Sequence, residues 1–277
     1  MKIAAVQMVS TPDVARNCDA ARRLIAQAAA RGAELVALPE YFCLMGRNDR
    51  DKLDVAELPL GEQGGGDSRG GPIQQALSAA ALAHSVWLIG GTLPLRCADP
   101  QRVRNSCLVF APDGSLAARY DKMHLFRFDS GHERYDEGRV LEAGSEPGAL
   151  QCGALRVGLS VCYDLRFPEL YRALMRPPCD LISVPSAFTY TTGSAHWELL
   201  LCARAVENQA YVIAPAQGGT HENGRRTWGH SMIIDPWGEV LDVLVEGEGV
   251  VIADVDAARL ASVRAQLPAL EHRRLGD

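Results

Sequence analysis

Val157-Gly-Leu-Ser-Val-Cys162 is an apolar run that ends in a thiol, and Tyr163-Asp-Leu-Arg-Phe-Pro-Glu169 follows it at once with the polarity of an opening helix. A buried strand that gives way to a helix is the building step of an α/β fold, and open α/β sheets place their sites at the carboxyl ends of strands. Working outward, Leu35-Val-Ala-Leu-Pro-Glu40 is a second apolar strand, ended abruptly by a carboxylate. Arg119-Tyr-Asp-Lys-Met-His124 carries a lysine just past a third apolar stretch. A thiol, a base and a cation near strand ends are the parts needed for acyl transfer through a covalent thioester.

The rest of the chain repeats this alternation. Thr11-Pro12-Asp13 offers a capping residue, a proline for the first helical position and an acid near the positive helix end. The helix it opens runs to Arg31 with Leu24, Ile25, Ala28 and Ala29 on one face, and Gly32 stops it. A strand over 34–38, a helix over 73–84 and a strand over 86–90 follow. Strands over 105–111 and 116–120 flank Pro112-Asp-Gly114, a hairpin turn. In the second half the pattern predicts strands over 155–161, 180–184 and 211–215 and helices over 168–176 and 195–208. A hairpin then turns at Pro236-Trp-Gly238, and a last strand covers 249–255. Two βαβ halves interleaved with hairpins imply a mixed sheet or a pair of sheets with helices outside. The Gly-rich stretch Gly61 to Gly71 has no entering strand and no Gly-Lys-Ser/Thr ending, so it reads as a surface loop or an active-site lid rather than a phosphate loop.

Composition narrows the partners. The apolar fraction of 47% is kept from end to end of the 277 residues, so one domain over 1–277 is expected. The net charge of −6 comes from acidic and basic residues mixed along the chain, which points away from nucleic acid and toward a small molecule. Eight cysteines, none in a CxxC pair, suit reduced thiols in a cytoplasmic protein, and no histidine or cysteine pair has metal-ligand spacing. No apolar run reaches the length of a membrane span, and the N-terminus reads as a first strand rather than a signal peptide.

Three of these stretches, Leu38-Pro-Glu40, Asp121-Lys122-Met-His-Leu125 and Ser160 to Glu169, resemble in order the three signature segments of the nitrilase superfamily of carbon–nitrogen hydrolases. The resemblance extends from Lys2 to about Arg274. Pro185-Ser-Ala-Phe188, Gly193-Ser-Ala-His-Trp-Glu198, Arg204-Ala-Val-Glu207 and Gly229-His-Ser-Met-Ile-Ile-Asp-Pro-Trp-Gly238 further resemble the Nit branch, which includes deaminated glutathione amidases and omega-amidases. The resemblance implies a four-layer α-β-β-α sandwich, commonly doubled by dimerisation, and a catalytic triad of Glu40, Lys122 and Cys162 that needs no cofactor and no metal. Glu137 resembles the family's additional glutamate, with Glu133 and Asp136 as neighbouring alternatives. Phe188, Thr189 and His196 fall in segments that line the branch's substrate pocket. The activity implied is hydrolysis of deaminated glutathione or a related ω-amide, with a nitrile hydrolase or a non-catalytic binding member as the alternatives.

The triad also has a physical rationale. A thiol of ordinary pKa is only about 3% ionised at neutral pH, so Cys162 needs help. A lysine ammonium at about 4 Å would favour the thiolate by roughly 4 kcal/mol before desolvation is subtracted. A half-buried Glu40 would be raised toward a usable base. The backbone N–H of Tyr163, next to the nucleophile, is a candidate oxyanion donor. Arg166 either pairs with Glu169 one helical turn on or holds a substrate carboxylate in its planar fork. A cysteine–histidine pair using His124, His196 or His230 is the rival arrangement, and it leaves Glu40 and Lys122 without a task.

Overall fold

The computed structural model describes residues 1–60, 70–131 and 133–275. The first half runs β1 (Lys2–Gln7), α1 (Val14–Ala30), β2 (Leu35–Ala37), α2 (Asp51–Asp54), α3 (Pro72–His84), β3 (Trp87–Ile89), β4 (Leu93–Arg96), β5 (Val103–Phe110) and β6 (Leu116–Asp121). A small hairpin of β7 (Arg127–Asp129) and β8 (Arg134–Asp136) follows. The second half runs β9 (Gly148–Cys152), β10 (Leu155–Leu159), α4 (Pro168–Leu174), β11 (Leu181–Ser183), α5 (Tyr190–Asn208), β12 (Tyr211–Ala214), β13 (Ser231–Ile234), β14 (Val240–Leu244), β15 (Gly249–Asp254) and α6 (Ala257–Gln266).

Two sheets result, ordered β15-β1-β2-β3-β5-β4 with β6 beside β5, and β14-β13-β12-β11-β10-β9. Each has a parallel centre, β1-β2-β3 and β10-β11-β12, flanked by antiparallel strands. Successive side chains of a strand point to opposite faces, and that period of two separates the cores. Ile3 and Ala5 of β1 join Val157, Leu159 and Ile213 in the apolar layer between the sheets. Ala4 and Val6 face the other way, against Leu24, Ile25 and Ala28 of α1 and Leu77 and Ala81 of α3. On the far side, Tyr171 and Leu174 of α4 and Trp197 and Leu201 of α5 cover the second sheet. Burial of each such side chain contributes about 1.5–3 kcal/mol. The architecture is the α-β-β-α sandwich.

Several local expectations are corrected. The cap of α1 is Asp13 rather than Thr11: its carboxylate accepts from Arg16 N at 3.1 Å, while the Thr11 hydroxyl donates to Asn17 Oδ1 at 3.0 Å. The polar stretch after Cys162 opens as a 3-10 turn over Cys162–Arg166, and the α-helix starts only at Pro168, where a missing N–H costs nothing. α5 begins five residues before the expected start, capped by the Thr189 hydroxyl, which accepts from Thr192 N. Its first turn looks like a loop because Gly193 interrupts the apolar period, yet a Cβ there would run into Trp228. The Gly-rich stretch assigned to a loop or lid lies, over 61–69, outside the described residues. Among the described residues no helix is long and apolar enough to cross a membrane.

Candidate active site

Glu40 follows β2, and its main chain is pinned: Gln217 Nε2 donates to its carbonyl at 3.1 Å, and Tyr41, at φ +56°, donates its N–H to Thr92 Oγ1 at 2.9 Å. The carboxylate is 1% exposed. Its Oε1 accepts from Lys122 Nζ at 2.8 Å and Asn105 Nδ2 at 2.9 Å, and its Oε2 accepts from Ala187 N at 3.1 Å. Cys162 lines the same cleft as Glu40, and the Glu40 charge acts on its thiol.

Lys122 continues β6 by one residue, its N–H bonded to Asn105 O at 3.0 Å. Its buried ammonium bridges two acids, Glu40 and Glu137, with Glu137 oxygens at 2.8 and 3.0 Å. Glu137 also accepts from the Tyr41 hydroxyl at 2.8 Å and Phe126 N at 2.7 Å. Neither Glu133 nor Asp136 contacts Lys122 among the described residues.

Cys162 lies at the corner between β10 and the 3-10 turn with φ +50°, a left-handed conformation that a non-glycine residue adopts only when its surroundings enforce it. Two restraints do so. Its N–H donates to Pro185 O at 2.9 Å, and the neighbouring Val161 N–H donates to Asp164 Oδ2 at 2.8 Å. The corner swings the thiol out of the strand toward Glu40.

The electrostatics follow from burial. Desolvation raises the Glu40 carboxyl above its ordinary range despite the pull of Lys122. It works against Glu137 as well, but the Lys122 charge and the hydrogen bonds from Lys122, Phe126 N–H and the Tyr41 hydroxyl win, so Glu137 stays below the carboxylate range. Lys122 is desolvated too, yet Glu137 and Glu40 together lift it well above an ordinary lysine. Burial, then the Glu40 charge, pushes the Cys162 thiol up. At rest the site therefore holds a neutral thiol, an ammonium, one firmly ionised carboxylate and one basic carboxylate.

A narrow cleft opens above the sulfur, lined among others by Tyr41, Phe126, Tyr163, Arg166, Phe188 and Arg225. Thr189 lines it too and caps α5. Arg166 does not turn to Glu169. Its Cζ lies 5.6 Å from the Phe188 ring centre and its Nη2 3.3 Å from His196 Nδ1. His196 itself is exposed and stands outside the lining, contrary to the expectation that it lies along the pocket, because α5 turns it outward from the cleft. His124 is bound to Asp164 at 2.7 Å and His230 is stacked on Trp228, so neither serves Cys162. Sequence reading missed Tyr41, Asn105, Ala187 and Arg225. Tyr41 adjoins Glu40 and Asn105 lies in β5, the strand paired with β6 ahead of Lys122, but Ala187 and Arg225 reach the site only through the fold.

Comparison with known proteins gives the family of the chain. The carbon-nitrogen hydrolase family profile matches residues 2–265. A protein of Synechocystis sp. named deaminated glutathione amidase is 40% identical over 274 residues, covering 98% of this chain and 97% of its own. Human omega-amidase NIT2 is 36% identical, covering 97% and 92%. The crystal structure of Saccharomyces cerevisiae Nit3, a member of branch 10 of the nitrilase superfamily, superposes with a TM-score of 0.88 at 29% identity, over 99% of this chain and 97% of that one. The chain thus belongs to the carbon-nitrogen hydrolases of the nitrilase superfamily.

Proposed function

We propose that the protein is a cysteine-dependent amidase acting on ω-amides of 2-oxo or dicarboxylic acids, deaminated glutathione foremost, through a thioester on Cys162. The observation that carries this reading is one buried carboxylate, Glu40, held between the Cys162 thiol and the Lys122 ammonium. The full-length similarity to amidases of these two substrate classes supports the choice of substrate.

In this scheme the Glu40 carboxylate takes the thiol proton as sulfur attacks the amide carbon. Burial raises the Cys162 thiol, which keeps the proton on sulfur until a carbonyl is in place, and burial raises Glu40 as well, which makes it the stronger base once attack begins. The tetrahedral oxyanion is met by Lys122 and by the Tyr163 N–H, which lies in a first turn whose N–H groups lack intrahelical acceptors. Collapse expels the amine, which carries off the proton held by Glu40. The same carboxylate then deprotonates water, which attacks the thioester and releases the acid while the proton returns to sulfur. Glu137 keeps Lys122 charged throughout. Arg166 holds the carboxylate of the acyl part in a charge-assisted fork, against the Phe188 wall. The eight unpaired cysteines support a reducing, cytoplasmic setting.

A release assay over deaminated glutathione, 2-oxoglutaramate and a neutral amide of equal size tests this, with intact mass recorded during turnover. The wild type should favour the acidic amides and show an acyl adduct that Cys162→Ala lacks. Arg166→Met should narrow the preference for acidic over neutral amides by roughly thirty- to a thousand-fold. Turnover in Cys162→Ala, or an unchanged preference in Arg166→Met, would remove the nucleophile or the carboxylate site respectively.

A further inference from the structure

Glu40 keeps its two oxygens in different company. Each oxygen of an ionised carboxylate offers two lone-pair sites. On Oε1 both are taken, by Lys122 Nζ at 2.8 Å and by Asn105 Nδ2 at 2.9 Å. Oε2 accepts a single N–H, from Ala187 at 3.1 Å, which leaves one site on it open.

Asn105 owes its place to the β5–β6 ladder. Lys122 N donates to Asn105 O at 3.0 Å, one step past the pair formed by Ser106 and Asp121. Residues opposite each other in a ladder share a face, so the Asn105 amide and the Lys122 ammonium point the same way and meet at one oxygen. Ser106 and Asp121 point to the other face, where the serine hydroxyl donates to the carboxylate. Asn105 is 2% exposed and stands outside the cleft lining, so it acts on substrate only through Glu40.

The chemical type of this donor matters. Burial raises the Glu40 carboxyl and Lys122 opposes that rise. A hydrogen bond to the ionised form adds to the opposition. A second cation at this place would hold the carboxylate too firmly ionised to act as a base, and an apolar residue would let it protonate. A neutral amide supplies a hydrogen bond without a charge, and its N–H groups do not trade protons with Oε1.

We propose that Asn105 is a positioning residue for the base: with Lys122 it fills both sites of Glu40 Oε1, so that Oε2 alone exchanges the proton of the reaction. The proposal rests on the transfer from Cys162 to Glu40 in the amidase reading. As sulfur bonds to the carbonyl carbon, the S–H bond breaks and an Oε2–H bond forms. On collapse the same proton passes from Oε2 to the departing nitrogen. Without Asn105 the carboxylate is free to turn about its last bond, and either oxygen can meet the thiol.

The test reads two pH profiles in the wild type, Asn105→Leu and Asn105→Ser. One is kcat/KM for ammonia release from 2-oxoglutaramate. The other is the rate of Cys162 alkylation by iodoacetamide, followed by intact mass against Cys162→Ala. Asn105→Leu nearly keeps the volume and loses the donor, so its acid limb should move up by about one to two pH units in both profiles. On the plateau kcat should fall about ten- to a hundred-fold with KM nearly unchanged. Asn105→Ser, with a shorter donor, should place the limb between the two, and it carries the comparison alone if Asn105→Leu does not fold. An acid limb that stays in place in both variants, or a loss that falls on KM alone, would overturn the proposal whatever the change in Tm. If the alkylation limb shifts as expected but the wild type releases no ammonia, the amidase reading falls and the role of Asn105 stands. If ammonia release is normal and neither limb moves, the role of Asn105 falls and the amidase reading stands.

Discussion

Glu40 and Glu137 touch the same ammonium, and burial acts on both, yet they end on opposite sides of the carboxylate range. The difference lies in their other donors. Glu137 collects the Tyr41 hydroxyl and the Phe126 N–H in addition to Lys122, while Glu40 faces a thiol that must later give up its proton. This division has a pH signature. The base must be ionised, so the acid limb of kcat/KM should lie above the ordinary carboxylate pKa of 4.5. Desolvation, relieved by Lys122, dominates that rise, and the Glu137 charge adds to it. Glu137→Gln removes that charge, so the acid limb should move to lower pH. The same change deprives Lys122 of its largest anionic support, so an alkaline limb should move down into reach. A profile of kcat/KM in Glu137→Gln in which neither limb moves to lower pH would contradict this coupling. Glu40, Lys122 and Cys162 were legible in the sequence because each ends or follows an apolar run. Glu137 was legible only through the family resemblance, and Arg225 not at all, since a loop residue brought in from β12–β13 leaves no periodic mark.

Asp164 fixes the relation between the element that carries the nucleophile and the element that carries the lysine. It is fully buried. One oxygen accepts from Val161 N at 2.8 Å and the Tyr120 hydroxyl at 2.7 Å, and the other meets His124 N at 3.0 Å and His124 Nδ1 at 2.7 Å. The 3-10 turn of Cys162 is thereby tied to β6 and the segment just past Lys122. Removing the carboxylate strands several buried donors at once, at a cost of about 3 kcal/mol. Asp164→Ala should therefore lower Tm by roughly 6 to 12 °C in a chain of this size and reduce kcat more than KM, because the distance between sulfur and ammonium is no longer set. A normal kcat in a destabilised Asp164→Ala would mean the tie is structural alone. At this scale the central strands and α1, α3 and α4 could be read from period and punctuation. β4, β9 and the β7–β8 hairpin could not. β9, for example, is a half-exposed edge strand whose register depends on β10 and a turn at Gly153, φ +58°. Its residues carry too little apolar alternation to announce a strand before the partner is known.

The sandwich leaves one helical face without cover. Leu199 and Val206, two turns apart on α5, are 69% and 48% exposed, and Trp237 at the β13–β14 turn is 54% exposed. Residues seven apart share a helix face, and the hairpin tip touches that face, because a Cβ on Gly238 would come within 2.8 Å of Val206 Cγ2. The chain beyond α6 begins against the end of the same helix, with Leu267 O accepting from Gln209 Nε2. Leu270 then packs on the chain's own core, and Leu275, 89% exposed, points away from it. Scattered surface apolar residues need no explanation, but contiguous ones on the outer layer of a sandwich mark an interface. The two-sheet arrangement was expected from βαβ halves and hairpins, whereas this patch depends on which face of α5 the second sheet covers and is invisible until that is known. A two-fold pairing of α5 faces would bury Leu199, Val206 and Trp237 against their own copies. Light scattering at micromolar concentration should then give twice the 29.9 kDa chain mass. Leu199→Glu with Trp237→Glu should return the mass to a single chain, with an unchanged far-ultraviolet circular dichroism spectrum, since both side chains already stand in water in the isolated chain. A wild type that scatters as one chain would refute the pairing. A dimer indifferent to both substitutions would place the interface on another face.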